Sequence, residues 1–227
     1  MRFASPAVAV FLLATSAFAG VLPITSYNSF ADSPFSGTAF QYFHLENFES
    51  GGIFTPGASA SGGAVLGPGP LADSVDADAG GIDGSGTDGR SWYSNGSNAV
   101  RFTFSQAILG VLPTHAGIVW TDVGFTNTGL GTGVAELEAF DALGVSLGVI
   151  TSGVLGDGLP NGGTAEDRFF GFTNAGGISA IELRMPESTD WEMDHLQYGS
   201  SAVPEPSTLA FGAIGLGAAA AARLRKR

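Results

Sequence analysis

In eight segments of its interior this chain alternates apolar and polar residues with a two-residue step, the spacing that sends one set of side chains to a single face of an extended strand. The pattern runs through residues 40–48 (FQYFHLENF), 100–105 (VRFTFS), 117–123 (GIVWTDV) and 135–142 (AELEAFDA), and recurs at 146–151, 168–173, 178–185 and 195–198. Turn signals part these segments: Asp141-Ala142-Leu143-Gly144, Asn161-Gly162-Gly163 and Asn174-Ala175-Gly176-Gly177. Short strands joined by Gly-rich turns predict an all-β protein, an antiparallel β-sandwich of the jelly-roll kind. One segment resists the pattern: Ile178, Ala180 and Leu183 do not keep one face, and a bulge is needed to reconcile them. Residues 51–97 are the least regular and too long for an ordinary loop, so short strands are expected inside them, one near 58–66.

Helical patterning is confined to the two ends. The chain opens MRFASPAVAVFLLATSAFAG, with Arg2 as a positive start, an apolar stretch from Ala7 to Leu13, and Ala17-Phe18-Ala19 as a small-x-small site. These features predict a secretory signal over 1–19, cut by signal peptidase before Gly20. The apolar stretch falls far short of the ~20 residues that span a bilayer. The body is then 20–201, and a third segment occupies 202–227.

That last segment reads VPEPSTLAFGAIGLGAAAAARLRKR from Val203 onward. Leu209 to Ala222 is apolar but rich in Ala and Gly, which suits transient membrane insertion better than permanent anchoring. Arg223, Arg225, Lys226 and Arg227 would stay on the cytoplasmic side, leaving the body outside. Pro204 and Pro206 hold Val203-Pro204-Glu205-Pro206 extended and open to an enzyme. The order of these parts resembles the PEP-CTERM sorting signal. The resemblance implies recognition by an exosortase, a membrane-embedded transpeptidase-like enzyme, with cleavage near the motif and delivery to the cell surface or extracellular matrix. An ordinary single-pass anchor is the plainer alternative.

Charge narrows the partners. The chain has nine Lys and Arg against twenty-one Asp and Glu, a net charge of −12. Between Gly20 and Ala202 the only bases are Arg90, Arg101, Arg168 and Arg184. Phosphate backbones would repel such a body, which argues against nucleic acid as a partner. The absence of cysteine removes disulfides, thiolate metal sites and a Cys nucleophile.

The body also resembles ectodomains of PEP-CTERM proteins, in which an early F-E-x-G element and a late D-x-L-x-Y/F-G strand bracket a jelly roll. Here these are Phe48-Glu49-Ser50-Gly51 and Asp194-His195-Leu196-Gln197-Tyr198-Gly199. Carbohydrate-binding jelly rolls share the bracketing and often hold a structural calcium. The resemblance implies that the first and last strands run close together, which would bring Glu49 and Asp194 to one ion; the alternative is that they cap turns or face water. Asp76, Asp78, Asp83 and Asp88 form a second candidate in a Gly-rich stretch, because calcium takes six to eight oxygens. An EF-hand begun at Asp76 fails, with Gly80 fifth and Thr87 twelfth, and a solvated acidic loop is the alternative.

Other motifs carry less. Gly144-Val145-Ser146-Leu147-Gly148 matches G-x-S-x-G, yet it lies in hairpin context rather than at a strand-to-helix elbow. His44, His115 and His195 are far apart. Glu166 and Asp167 adjoin and point to opposite faces of a strand, so they do not form one glycosidase pair. Among Trp92, Tyr93, Trp120 and Trp191, Trp120 reads as core, while Trp92 and Trp191 sit among polar residues and read as exposed platforms for sugar rings. The sequence thus favours a non-enzymatic, structural or carbohydrate-binding surface module with extracellular polysaccharide as partner. A polysaccharide-active enzyme is the alternative and would need two carboxylates at catalytic spacing.

Overall fold

The structure, a computed structural model, describes residues 19–75, 89–127, 129–159 and 166–201. The start of the signal segment through Ala17 and Phe18, the Asp76, Asp78, Asp83 and Asp88 stretch, and the whole of 202–227 lie outside the described residues.

Thirteen strands are described: β1 (Gly20–Val21), β2 (Thr25–Ser26), β3 (Phe40–Glu46), β4 (Ala58–Ala60), β5 (Ala64–Leu66), β6 (Ser91–Tyr93), β7 (Ala99–Phe104), β8 (His115–Val123), β9 (Gly133–Asp141), β10 (Ser146–Leu155), β11 (Arg168–Thr173), β12 (Ile178–Arg184) and β13 (Trp191–Ser201). A 3-10 turn, Phe30–Asp32, and one helical turn, α1 (Gln106–Leu109), interrupt them. All pairings between these strands are antiparallel. An eight-stranded sheet runs β1-β11-β8-β13-β6-β5, with β2 also on β11 and β3 also on β13. A five-stranded sheet runs β10-β9-β12-β7-β4. The expected sandwich of two antiparallel sheets is present.

Alternation explains why the sheets face each other. In β9, Ala135, Leu137 and Ala139 are buried, while Glu136 and Glu138 between them reach Arg184 on the outer face of β12. Val100, Phe102 and Phe104 of β7, and Ile118 and Trp120 of β8, fill the same interior. Burial of these rings and branched side chains supplies the main driving force for closing the sandwich. In β12, Ile178, Ile181 and Leu183 all enter the core. The three-residue step from Ile178 to Ile181 is absorbed by a register shift against β9 between Ile178 and Ala180, the bulge that the sequence pattern required.

The central strand β13 is covered on both sides. Trp191, Met193, Leu196 and Tyr198 face the sandwich core. Here too the step lengthens, from Met193 to Leu196, and the register against β8 shifts between Asp194 and Gln197. His195 lies in that shift with φ 44°, the left-handed region that few side chains adopt. Over the other face of the sheet lies a second apolar cluster of Tyr27, Phe35, Val75, Val119 and Phe169. The β13 side chains facing that layer are polar and buried, and they define where chemistry can occur.

Candidate functional site

The arrangement begins with the register of β8. Arg168 stands opposite Trp120, and two residues further along the same ladder Glu166 comes across from Asp122, where their carboxyl groups interact. On the other flank of β8, β13 pairs Trp191 with Val123 and Met193 with Trp120 across a register shift, which brings Glu192 to the same level. Three acids from three neighbouring strands and strand ends therefore gather at one end of the larger sheet.

Their surroundings hold them towards the neutral form. Burial raises Glu166 far above the usual carboxylate range, and the nearby charges of Asp122, Asp157 and Asp73 add to the effect. Burial also raises Asp122, against the opposing pull of a 2.5 Å hydrogen bond from the Val123 N–H. Glu192 is pushed up to about 8 by burial, although the Ser91 hydroxyl and the Asp73 N–H (2.9 Å) both donate to Oε2. Glu166 is only 6% exposed, yet neither carboxyl oxygen accepts a hydrogen bond within the described structure. Its polar neighbour is another acid.

Asp122 and Glu192 open onto a cleft of about 390 Å³, completed by Leu66, Leu71, Tyr93, Gly124, Phe125 and Asp190. Asp190 is tightly placed: Oδ1 accepts the Tyr93 hydroxyl at 3.0 Å, and Oδ2 accepts the Phe125 N–H at 3.1 Å. Gly124 permits this approach, since a Cβ there would collide with the Asp190 carboxylate. Phe125 and Leu71 remain 65% and 63% exposed. The cleft therefore combines apolar surface with fixed carboxylates, the usual make-up of a small-ligand site.

The bracketing acids behave differently. Glu49 and Asp194 do come together: the Ser74 hydroxyl is 3.0 Å from Asp194 Oδ2 and 3.4 Å from Glu49 Oε1. Protein donors already occupy these oxygens. Val75 N–H and His195 N–H donate to Asp194 at 3.0 and 2.6 Å. The Arg90 N–H donates to Glu49, and the Arg90 guanidinium stands 3.9 Å from its Oε2. Among the described residues, no three His, Cys, Asp or Glu side chains converge on a point fit for a metal ion. Asp76 and Asp78, the other acids expected to serve calcium, fall outside those residues.

The exposure expected of Trp92 and Trp191 is corrected. Trp191 is 0% and Trp92 9% exposed, and both belong to the sandwich core with Trp120. Their indole N–H groups donate to backbone carbonyls, Trp191 to Ser97 (3.0 Å) and Trp92 to Gly62 (3.1 Å), so no ring face is left for a sugar. Ser146 begins β10 just after the Asp141–Val145 turn that closes the β9–β10 hairpin, as its surroundings in the sequence indicated. Sequence reasoning missed Asp122, Glu192, Asp190 and Phe125 and did not pair Glu166 with Asp122. An acid inside a buried strand, Asp122 in TDV and Glu192 in WEM, is the signal that could have found those two; Asp190 and Phe125 lie outside the strands.

Residues 202–227 match the model of the PEP-CTERM protein-sorting motif. The chain carries that sorting signal. A PEP-CTERM motif implies an exported protein that an exosortase processes. No match is found among curated proteins. One solved structure, described as "The role of conserved amino acids in the cleft of the C-terminal family 22 carbohydrate binding module of Clostridium thermocellum Xyn10B in ligand binding", is similar at 12% identity over 73% of this chain and 96% of that one. Its TM-score is 0.25, too low to carry an argument.

Proposed function

We infer that this protein is exported, passes through an inner-membrane intermediate and is placed by an exosortase at the cell surface or in the extracellular matrix, where its β-sandwich binds polysaccharide without cleaving it. The sorting motif at 202–227 supports the destination. The binding activity rests on one observation: the exposed Phe125 ring stands over a cleft whose polar wall is fixed by the Tyr93–Asp190 hydrogen bond. An apolar ring face packs against the C–H face of a sugar, while rigid carboxylates accept its hydroxyls.

Two measurements test the two halves. Glu205→Ala, or deletion of Arg223, Arg225, Lys226 and Arg227, is expected to leave unprocessed precursor in the membrane fraction; normal maturation of both variants refutes exosortase handling. A glycan array with the purified protein is expected to give binding that Phe125→Ala reduces about tenfold, the loss of one stacked contact and its burial. Binding unchanged by Phe125→Ala, or none to any glycan, removes the polysaccharide reading.

A further inference from the structure

Most edge strands of the two sheets are short: β1, β2, β4 and β5 have two or three residues each. β3 is longer, but it carries His44 and Glu46, and Phe30 and Phe35 pack on its Phe43 and Phe40. β10 differs. It ends the smaller sheet with ten residues, SLGVITSGVL, and among the described strands only β9 pairs with it. An open edge offers a row of backbone donors and acceptors to any chain that can lie beside it, and is ordinarily blunted by Lys, Pro or brevity. None of these protects β10, because residues 142–156 contain no charged residue and no Pro.

The side chains agree with the backbone. Leu143, Val145, Val149, Val154 and Leu159 are five of the twelve exposed large apolar side chains among the described residues, so this one hairpin concentrates them. Charge singles out the same strip. The chain carries a net charge of −12, which sets two copies against each other overall. Behind β10, however, Glu136 and Glu138 of β9 are both paired with Arg184. An uncharged edge thus borders a charge-balanced face.

Two bulges decide how much of the edge is usable. The register against β9 shifts between Ser146 and Gly148 and again between Thr151 and Val154, while Gly148 to Thr151 pairs regularly. Local bonds occupy backbone groups at the bulges: the Gly148 N–H donates to Ser146 Oγ at 3.3 Å, and Ser152 Oγ donates to the Gly153 carbonyl at 2.6 Å. The regular, open stretch is therefore centred on Val149, Ile150 and Thr151. Laid antiparallel on itself about a two-fold axis at Ile150, the strand sets Val149 against Thr151 of the second copy. The same register sets Asp157 against Leu143 and Asp141 against Leu159, so no acid faces an acid.

We propose that β10 is a self-association edge, along which two copies of this chain pair antiparallel and join their five-stranded sheets into one continuous sheet. The pairing consumes the same edge on both copies and so closes as a dimer. It does not depend on the polysaccharide reading. Ten residues present about 33 Å of edge, a strip smaller than the ~800 Å² per partner of a standard complex. Association is accordingly weak and concentration-dependent.

The test is sedimentation equilibrium of the purified full chain beside Thr151→Lys and Val149→Lys, two positions that are exposed in the single copy. The native chain is expected to pass from one chain mass to two between about 1 and about 100 μM, the range of a small interface. Each Lys variant should need at least about tenfold more protein, because like charges then meet across the edge. Association through the apolar tail or another face would be untouched by these substitutions. Cross-linking locates the contact independently of how the Lys variants fold. The chain has no cysteine, so a variant carrying Val149→Cys and Thr151→Cys forms covalent dimers only through the introduced thiols. On mild oxidation it should do so at least about tenfold faster than Leu143→Cys, since pairing raises the local thiol concentration, although Leu143 is 87% exposed. A single-chain mass at every concentration overturns the proposal. So does a dimer that both Lys variants retain, or cross-linking of Leu143→Cys that is equally fast.

Discussion

The Tyr27 hydroxyl lies 2.8 Å from Nδ1 of His195, joining the start of the chain to the bulge in its last strand. Gln197 Nε2 donates to the same hydroxyl at 3.0 Å, so the hydroxyl bridges two buried side chains. Ser33 continues the chain by donating to Gln197 Oε1 at 2.6 Å. This buried relay fastens the segment carrying Tyr27 and Phe35 over the outer face of β13. Tyr27→Phe keeps the ring that stacks near Phe169 and removes the relay's central hydroxyl. It is expected to destabilise the protein by about 1–3 kcal/mol, because the Gln197 and His195 groups stay buried without it. Chemical denaturation checks this, and an unchanged midpoint would mean that the segment is held by apolar packing alone.

Trp191 should act through stability and not through ligand. Its side chain is wholly buried and its N–H is satisfied by Ser97. Trp191→Ala is expected to cost roughly 3–5 kcal/mol from the cavity left behind. Trp191→Phe should unfold earlier on heating yet retain the glycan affinity of the native protein. A selective loss of affinity in a folded Trp191→Phe would restore the indole to the binding surface.

The two tryptophans mark where the sequence stopped being legible. The eight alternating segments all became strands, β11 with its ends unchanged; β7 and β9, each with one wetter face, announce themselves in a two-residue period. The region near 58–66 holds two short strands, β4 and β5, rather than one. Trp92 and Trp191 are flanked by Ser91, Asp190 and Glu192, which suggested exposure. Those polar neighbours are themselves buried or lie at the edge of the cleft, where residues 71–75 overlie the sheet. That covering layer is assembled from distant parts of the chain and leaves no local period. The Asp122–Glu166 pair was hidden for the same reason: only the β8–β11 register brings the two together.

His115 gives the pH dependence a sign. Burial between Phe35 and Phe40, whose ring centroids lie 5.4 and 5.1 Å away, lowers its pKa below the ordinary 6.5. In the unfolded chain the imidazole takes its proton near the ordinary value, so below about pH 6.5 the unfolded state binds more protons than the folded one. The folded state is therefore favoured above that pH and loses ground as pH falls towards the lowered pKa. Urea midpoints of the native protein and His115→Gln, compared between about pH 7.5 and pH 5, should diverge, with the native protein losing more on the acid side. Parallel pH profiles would show that the Phe35–Phe40 contact does not hold the ring neutral.

Glu49 and Asp194 separate two explanations of the same juxtaposition. As hydrogen-bond acceptors they fasten Ser74, Val75 and Arg90 and thereby both ends of the acidic 76–88 stretch. As calcium ligands they would draw further oxygens from that stretch, and their oxygens would have to exchange the Val75 and Arg90 N–H groups for the ion. Charge-assisted bonds to backbone N–H groups are each worth about 1.5–3 kcal/mol, and an ion must exceed that to displace them. Asp194→Asn, which halves the acceptors and leaves the shape, is expected to lower the melting temperature equally with and without a calcium chelator. A loss that appears only when calcium is present would make these two acids metal ligands, and the anchoring role of Ser74 would then be secondary.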